Sequence, residues 1–267
     1  MHYPKKSLGQ NFLVDGNLQR KIVEALDPRP EDEILEIGPG RGALTKHLVG
    51  RCRSLILVEL DRDLAAALTR ELGHLQGVRV VEGDILQHHP ANLAERVDEL
   101  KVVGNIPYGI TTPLLFHLLS LPRPGEILLM VQKEVGKRIL ASPGTSAFGS
   151  LTVGVRAIAR VEGVLTVPAT AFRPVPGVDS VVLRIRPCRP PPLTPGEEER
   201  LRDLTRAAFQ KRRKQFQTIL RSGPYPSLSR GEVQALEERT GFDFRRRPET
   251  FSPGEFVLIS RALHAMS

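Results

Sequence analysis

The sequence predicts an α/β protein in which a mainly parallel, doubly wound sheet is followed by a small all-helical domain. Three observations predict it. Short apolar or β-branched segments alternate with segments of helical periodicity along the first part of the chain. This alternation is typical of parallel strands that helices cover on both faces. A proline-rich stretch then separates that part from one with helical periodicity alone.

Seven segments are predicted strands, and the second is almost continuously apolar, as expected of a strand buried on both faces. Asp61, directly after it, is a suitable N-cap for the helix that follows. Only a loop separates the last two strands, so we expect an antiparallel pair that closes the sheet. The predicted strands cover residues 33–37, 55–60, 78–81, 101–104, 127–131, 161–167 and 180–185.

Helical periodicity predicts the other elements and the division into domains. A proline-rich linker covers residues 187–196. We therefore expect an α/β domain over residues 1–186 and a helical domain over residues 197–267. A first helix is expected after Leu13, and further helices are predicted at residues 44–49, 64–72, 91–100, 114–119, 197–220, 230–239 and 253–266.

Composition excludes several classes of protein. A hydrophobic fraction of 40% in 267 residues is sufficient for a folded core, which excludes a disordered chain or a collagen. No run approaches the roughly 18 apolar residues that a membrane-spanning helix needs. Two distant cysteines, Cys52 and Cys188, exclude a disulfide scaffold, and no residue spacing indicates a metal site. The N-terminus lacks the apolar stretch of a secretory signal, so we expect a cytoplasmic protein, and we take it to be a monomer.

The charge of the chain is basic and unevenly distributed. Lys and Arg number 38 and Asp and Glu 30, which gives a formal net charge of +8 and a pI near 9.9. Residues 187–267 hold fifteen of the basic and ten of the acidic residues. The densest run, inside the predicted helix 197–220, is Lys211, Arg212, Arg213 and Lys214. A basic excess attracts a polyanion such as RNA, although such a run is equally typical of a solvated helix face.

Candidate binding residues follow three successive strands, where doubly wound sheets bind their ligands. Gly38 and Gly40, after Glu36, permit a tight turn and a close approach to a ligand. Glu59 ends the next strand, at an offset suited to accepting hydrogen bonds from a ribose diol. Asp84 follows the third strand and suits an exocyclic amine of a nucleobase. A helix-flanking charge or a turn aspartate explains each acid on its own, but the three signals converge on one crevice.

Asn105, Ile106, Pro107 and Tyr108 end the fourth strand and form the sharpest motif. An Asn side-chain oxygen and the carbonyl before a proline can accept the hydrogens of a ring-attached amine and so direct its lone pair towards a methyl donor. Proline stiffens the loop, and tyrosine supplies a flat face for a base that has left its stack. The alternative is a strand-end turn with a packed tyrosine.

Two further segments suit the same ligands. Phe172, between the last two strands, can sandwich a base from its other side, although a Phe beside prolines is more often a packing residue. Residues 10–13, with Lys5 and Lys6 upstream, combine the aromatic, polar and basic side chains of a lid over a nucleotide. A hydrophobic staple for the first helix is the simpler alternative.

Five ordered motifs resemble the rRNA adenine N6,N6-dimethyltransferase family over nearly the whole chain, and most of all its bacterial members that act on small-subunit (16S) rRNA. The resemblance implies a class I, Rossmann-like methyltransferase domain with a seven-stranded sheet, which uses S-adenosylmethionine and no metal. A small helical domain that docks on RNA follows it. The motifs cover residues 6–13, 36–40, 59–61, 104–108 and 172–176.

The resemblance also implies roles for individual residues. Ile106 stands where the family usually has Leu, and Gly177 where a basic residue is common. The implied cofactor contacts are Asn11, Leu13, Glu36, Gly38, Gly40, Glu59, Asp84 and Asn105. The implied residues around the target adenine are Asn105, Ile106, Pro107, Tyr108 and Phe172. The basic candidates for RNA contact are Lys5, Lys6, Lys211, Arg212, Arg213 and Lys214.

The implied activity is dimethylation at N6 of two adjacent adenines in a hairpin loop near the 3′ end of 16S rRNA, during small-subunit biogenesis. Three alternatives remain open. One is a large-subunit (23S) rRNA adenine N6-methyltransferase of the macrolide-resistance type. Another is a mainly non-catalytic assembly factor of the small subunit. The third is an NAD oxidoreductase, although no acid–base pair for hydride transfer accompanies the glycine loop.

Overall fold

The computed structural model describes residue 5 and residues 9–223 and 227–266, and the chain divides into two compact units. The first unit comprises Met1–Gly136 and Val161–Pro187, and the second comprises Lys137–Arg160 and Cys188–Ser267. A segment that precedes the last two strands in the sequence is thus grouped with the helical residues. The domain boundaries drawn at residues 186 and 197 stay a prediction.

A seven-stranded sheet forms the centre of the first unit. Its strands are β2 (Glu33–Ile37), β3 (Ser54–Glu59), β4 (Val78–Glu82), β5 (Lys101–Asn105), β6 (Glu126–Gln132), β7 (Ala159–Val167) and β9 (Ser180–Pro187). The strand order is β4-β3-β2-β5-β6-β9-β7. The first five strands pair in parallel, and β9 is antiparallel to β6. The predicted fold class, a mainly parallel doubly wound sheet, is therefore confirmed.

A second, two-stranded sheet brings the N-terminal motif to the loop between the last two large strands. Strand β1 (Phe12–Leu13) pairs antiparallel with β8 (Phe172–Arg173), with Leu13 opposite Phe172. The N–H of Val14 extends the pairing by donating to the carbonyl of Ala171 at 2.8 Å. Residues 168–179, predicted to be a loop, thus contribute a short strand that holds the N-terminal segment in place.

Short helices connect the strands of the first unit, and α1 shows why they form. Asp15 caps α1 by accepting hydrogen bonds from the N–H groups of Asn17 and Leu18. The apolar face of α1 is buried in a core that also includes residues of β2 and β3. The helices are α1 (Gly16–Leu26), α2 (Thr45–Leu48), α3 (Arg62–Leu72) and α4 (Thr111–Leu118), and α5 (Lys133–Ile139) begins in this unit.

The prediction of a helix at residues 91–100 is wrong. Only a 3₁₀ turn, Pro90–Asn92, forms there, and turns follow it. The N–H of Glu95 donates to the buried carboxylate of Glu33 at 2.9 Å instead of to a helical carbonyl. Most of the segment is also partly or fully exposed, so there is no buried apolar face to stabilise a helix.

The second unit is helical, as predicted for the end of the chain. Capping boxes at Thr194, Ser229 and Ser252 begin three of its helices. Its core is aromatic, with Phe216 and Phe251 in ring contact at 5.1 Å. No helix in the described ranges is both long and apolar enough to cross a membrane. The helices are α6 (Ser150–Arg156), α7 (Pro195–Gln210), α8 (Phe216–Ser222), α9 (Arg230–Thr240) and α10 (Pro253–His264).

The prediction of one continuous helix at residues 197–220 is also wrong, because α7 ends at Gln210 and α8 begins at Phe216. The N–H groups of Phe216 and Gln217 donate to the carbonyls of Arg246 and Phe244, at 2.9 and 2.8 Å, and so cannot continue α7. The basic run at residues 211–214 consequently lies in the turn between two helices and not inside a helix.

Candidate active site

A cleft of about 290 Å³ lies at the carboxyl ends of β2, β3 and β5 in the first unit. Its walls come from the N-terminal segment, the glycine loop after β2 and the motif after β5, so the ends of several strands meet there as the fold class requires. The lining includes the predicted residues Asn11, Leu13, Glu36, Gly38, Gly40, Glu59, Asn105, Ile106 and Pro107.

The glycine loop forms a tight turn against the N-terminal segment. Gly38 and Gly40 have φ angles of 63° and 60°, a region that favours glycine. A Cβ at Gly40 would lie 3.1 Å from the ring of Phe12, so a side chain there would require that ring to shift. The guanidinium of Arg41 lies 4.5 Å from the centre of the same ring, a cation–π contact. The backbone of the loop is thus held close to the cleft.

Glu59 is buried, and both of its carboxylate oxygens accept hydrogen bonds from backbone N–H groups. Its Oε2 accepts from Gly40 and its Oε1 from Asp61, each at 2.9 Å. Burial raises the pKa of Glu59, while these hydrogen bonds oppose the rise. Each carboxylate oxygen keeps a further lone pair, so Glu59 can still accept hydrogen bonds from a diol.

Glu36 is the second buried carboxylate of the cleft. The hydroxyl of Thr45 donates to its Oε2 at 2.8 Å. Burial raises the pKa of Glu36 to about 7, and the charge of Glu59 adds to the rise. A buried carboxylate of this kind is stabilised when a cation binds beside it.

Asn105 joins the motif after β5 to the N-terminal segment. Its Nδ2 donates to the backbone carbonyl of Asn11 at 3.0 Å. This contact fixes which end of the amide is the donor, and no donor to Oδ1 lies within hydrogen-bond distance among the described residues. The Oδ1 atom is therefore available to a ligand amine. Tyr108, the last residue of the motif, begins a 3₁₀ turn, and its side chain lies outside the described part of the structure.

Two predicted residues do not line the cleft. Asp84 follows β4 and caps a 3₁₀ turn by accepting a hydrogen bond from the N–H of Leu86 at 2.9 Å. The side chain of Phe172, in β8, is completely buried in the core. In this conformation its ring is not accessible for stacking on a base. The binding roles of both residues stay predictions.

The basic residues predicted to contact RNA differ in their surroundings. The Nζ of Lys5 lies 2.8 Å from carboxylate oxygens of both Asp61 and Asp63, and Lys6 lies outside the described residues. Arg212 donates to the carbonyls of Thr145 and Ser146, at 2.7 and 2.8 Å, within the second unit. The remaining members of the run, Lys211, Arg213 and Lys214, are exposed.

Sequence reasoning missed two polar side chains of the site. The sequence predicts Asp61 only as an N-cap, and the structure confirms that role. The buried carboxylate of Asp61 also accepts hydrogen bonds from Lys5 and Gln10, which attach the N-terminal segment to it. Gln19 is buried and lines the cleft. Its position three residues before Ile22, on the apolar face of α1, is the signal that could have found it.

The cleft offers hydrogen-bond acceptors suited to a nucleoside and to a ring amine. Among the residues that the structure describes, no three metal-ligating side chains come together. Acceptors for a diol and for a ring amine lie in one cavity, beside a loop whose backbone can approach a ligand closely.

Comparison with known proteins identifies the family. A family model described as ribosomal RNA adenine dimethylase matches residues 1–263. A curated relative from Moorella thermoacetica, "Ribosomal RNA small subunit methyltransferase A", is 44% identical over 97% of this chain and 92% of its own length. A dimethyladenosine transferase from Plasmodium falciparum superposes with a TM-score of 0.76 and 25% identity, over 93% of this chain and 95% of that one. The 23S rRNA methyltransferase ErmE gives a TM-score of 0.71 and 28% identity, over 95% and 100%. The chain belongs to the ribosomal RNA adenine dimethylase family and is an α/β methyltransferase of class I.

Proposed function

We propose that this protein dimethylates N6 of two adjacent adenines in a hairpin loop near the 3′ end of 16S rRNA, during biogenesis of the small ribosomal subunit. One observation carries the proposal. The motif suited to a ring amine, at the end of β5, opens into the same cleft as the glycine loop and Glu59. A single cavity therefore brings acceptors for an adenine amine next to acceptors for a nucleoside cofactor.

S-adenosylmethionine, when bound, supplies an electrophilic methyl group to this cleft. The residues present fit it. Gly38 and Gly40 themselves present no side chain to a ligand, and the carboxylate of Glu59 retains lone pairs for a ribose diol. Glu36 lines the cleft beside the loop, and a cation bound there favours its ionised form. We propose that Asn11, Leu13 and Asp84 complete this cofactor site.

Asn105 orients the target amine. The lone pair of an adenine amine is delocalised into the ring, so the nitrogen is a poor nucleophile until its hydrogens are held out of the ring plane. The Oδ1 of Asn105 and the carbonyl of Ile106 are the acceptors that we propose for those hydrogens. Pro107 fixes the backbone that carries the second acceptor. Tyr108 and Phe172 are proposed to hold the base, Phe172 only after a rearrangement that exposes its ring.

The small-subunit substrate is supported by the relatives. The protein from Moorella thermoacetica, which is named for the small subunit, is 44% identical, whereas ErmE, which is named for 23S rRNA, is 28% identical. A loop adenine leaves its stack at low cost, which suits a hairpin target. We propose that the helical residues after the proline-rich linker dock on the RNA and that the protein works in the cytoplasm, where ribosomal subunits are assembled.

Radiolabelled S-adenosylmethionine and separated ribosomal subunits test the proposal. Small and large subunits from cells that lack the modification are incubated separately with the protein, and the label in each rRNA is located by primer extension. We expect label in the small-subunit rRNA alone, at two neighbouring adenines and with two methyl groups on each. Asn105→Ala is the matched inactive control. Label in neither rRNA contradicts the enzymatic proposal.

The structural similarity to ErmE keeps one second candidate, methylation of an adenine in 23S rRNA. The same experiment separates the two, because label confined to the large subunit identifies this alternative. Increasing salt should weaken RNA binding steeply and barely change cofactor affinity, since only the first depends on releasing counterions from phosphates.

A further inference from the structure

Gln19 is a polar side chain on the apolar face of α1. It is 3% exposed, and the other inward residues of the helix are Ile22, Val23 and Leu26. A buried amide destabilises the fold unless its donor and acceptor groups find partners. The hydrogen bonds of Gln19 therefore indicate what the buried amide does.

Both ends of the Gln19 amide have partners. Its Nε2 donates to the backbone carbonyl of Leu13 at 2.8 Å, which fixes the orientation of the amide, since an oxygen in that place would repel the carbonyl. Its Oε1 then faces the Nε2 of His47 on α2 at 3.4 Å, a long hydrogen bond. Burial lowers the pKa of His47, and so do the nearby charges of Lys46, Arg20 and Arg51. The imidazole is therefore neutral at pH 7 and able to donate one hydrogen.

Two of the three residues in these contacts line the cleft. Gln19 and Leu13 both line it, and His47 belongs to the helix that directly follows the glycine loop. Glu59, suited to the ribose, ends β3, and Asp84 follows the more distant β4. Gln19 and Leu13 therefore line the cleft together with the glycine loop, on elements other than the strands that lead to the acceptors proposed for the ribose and for the adenine of the cofactor.

The chemistry of this part of the cleft fits a cationic amine. The carbonyl of Leu13 accepts hydrogen bonds, and Glu36, which lines the same cleft, adds negative charge in its ionised form, which a bound cation favours. S-adenosylmethionine carries one ammonium group, in its methionine part. Hydrogen bonds from a charged group are the strongest of those available to a carbonyl, provided that the carbonyl is held in place.

We infer that Gln19 is a positioning residue of the cofactor site, which holds the Leu13 carbonyl as an acceptor for the ammonium group of S-adenosylmethionine. The inference rests on the proposed function, because it assumes that cofactor. Gln19 acts through Leu13, and His47 acts through Gln19. Positioning of the Leu13 carbonyl affects only the amino-acid part of the ligand. A general contribution of Gln19 to packing would instead affect binding of the whole ligand.

Binding calorimetry with three ligands tests the inference without any turnover. S-adenosylmethionine and S-adenosylhomocysteine carry the amino-acid part, and 5′-methylthioadenosine lacks it. Gln19→Met keeps the length and burial of the side chain and removes the donor. Lys21→Ala, at an exposed position of the same helix, is the matched control. Thermal unfolding of each variant is measured alongside.

We expect Gln19→Met to weaken binding of the two amino-acid ligands about tenfold and binding of 5′-methylthioadenosine less than twofold. His47→Leu, at a partly exposed position that tolerates an apolar residue, should show the same selectivity with about a threefold loss, and it serves if Gln19→Met does not fold. Equal losses for all three ligands, or no loss for any, would overturn the inference. Wild-type protein that binds none of the three would overturn the proposed function as well, so the two failures are distinguishable.

Discussion

The cleft of the first unit and the basic turn of the second unit use polar side chains in different ways. In the cleft, Glu36 and Glu59 are buried, and hydrogen bonds from Thr45 and from backbone N–H groups hold them. In the turn, three of four basic side chains are exposed and the fourth, Arg212, binds carbonyls of its own unit. The buried carboxylates of the cleft are thus held in fixed orientations, whereas a run of exposed charges does not show which of its members bind a ligand.

The largest effect should come from the cleft residue with an available acceptor. We expect Asn105→Ala to reduce methyl transfer by about 10³-fold, because the target amine loses a group that orients its lone pair. Binding of S-adenosylmethionine should be partly retained, since the glycine loop and Glu59 are unchanged. Turnover is measured with radiolabelled cofactor on small subunits, and cofactor binding by calorimetry.

Asn105→Asp serves as a partner variant for this prediction. It retains an oxygen acceptor but cannot donate to the carbonyl of Asn11, so it separates orientation of the amine from attachment of the N-terminal segment. Normal turnover by Asn105→Ala would contradict the proposed role of the motif and, with it, the contrast between the cleft and the basic turn.

The second prediction concerns the pH dependence of stability. The pKa of Glu36 is raised by burial from 4.5 to about 7, so the folded protein holds this proton after the unfolded chain has released it. The free energy of unfolding should therefore fall as the pH rises from about 4.5 to about 7, by about 3 kcal/mol from this group, and level off above. Glu36→Gln should remove that fall. Urea unfolding at a series of pH values checks it.

An exposed acid in the second unit provides the control. Hydrogen bonds with Ser229 lower the pKa of Glu232, so its contribution to stability is present above its unfolded pKa and is lost as the pH falls. Glu232→Gln should consequently change the profile in the opposite direction and only at low pH. Identical profiles for wild type and Glu36→Gln would mean that Glu36 ionises as readily in the folded protein as in the unfolded chain.

Much of the cleft could be predicted because its residues follow from strand ends. The carboxyl ends of parallel strands meet at one edge of a sheet, so Glu36, Glu59 and Asn105 converge once the strands are recognised. Asp61 as an N-cap required only its place after a strand. The sheet itself was predictable for the same reason, since apolar runs and their spacing are local properties of the sequence.

The two wrong helix predictions are explained by contacts between residues that are distant in the sequence. The helix expected at 91–100 fails because Glu33, far along the chain, takes the N–H of Glu95. The helix expected at 197–220 is interrupted because Phe216 donates to the carbonyl of Arg246. A local sequence pattern cannot predict either of these distant partners. The burial of Phe172 and the hydrogen bonds of Gln19 are likewise tertiary, and only the structure places them.

The third prediction separates members of the basic run. Arg213→Ala and Lys214→Ala should each weaken RNA binding a few-fold and lower the slope of log affinity against log salt by about 1, if each side chain contacts one phosphate. Arg212→Ala should instead lower the free energy of unfolding by about 1–2 kcal/mol, because it removes two hydrogen bonds to the loop at Thr145 and Ser146. Filter binding at several salt concentrations and urea unfolding give the two measurements. A reduced salt slope for Arg212→Ala without loss of stability would reverse this assignment.

The smallest effect should come from Lys5, the basic residue predicted for RNA that lies beside the cleft. Its Nζ is already paired with Asp61 and Asp63, which raise its pKa, so we expect its charge to be compensated within the protein and not to act on a phosphate. We expect Lys5→Met to leave the salt dependence of RNA binding unchanged. Because Gln10 still donates to Asp61 and the Lys5 side chain is partly exposed, the N-terminal segment keeps one attachment, and affinity for S-adenosylmethionine should fall by at most about threefold. Lys214→Ala, measured in parallel, is the comparison that reports loss of a phosphate contact. A lower salt slope for Lys5→Met would contradict this prediction. It would mean that Lys5 contacts a phosphate of the RNA although it is paired, as an exposed lysine of the basic turn is expected to do.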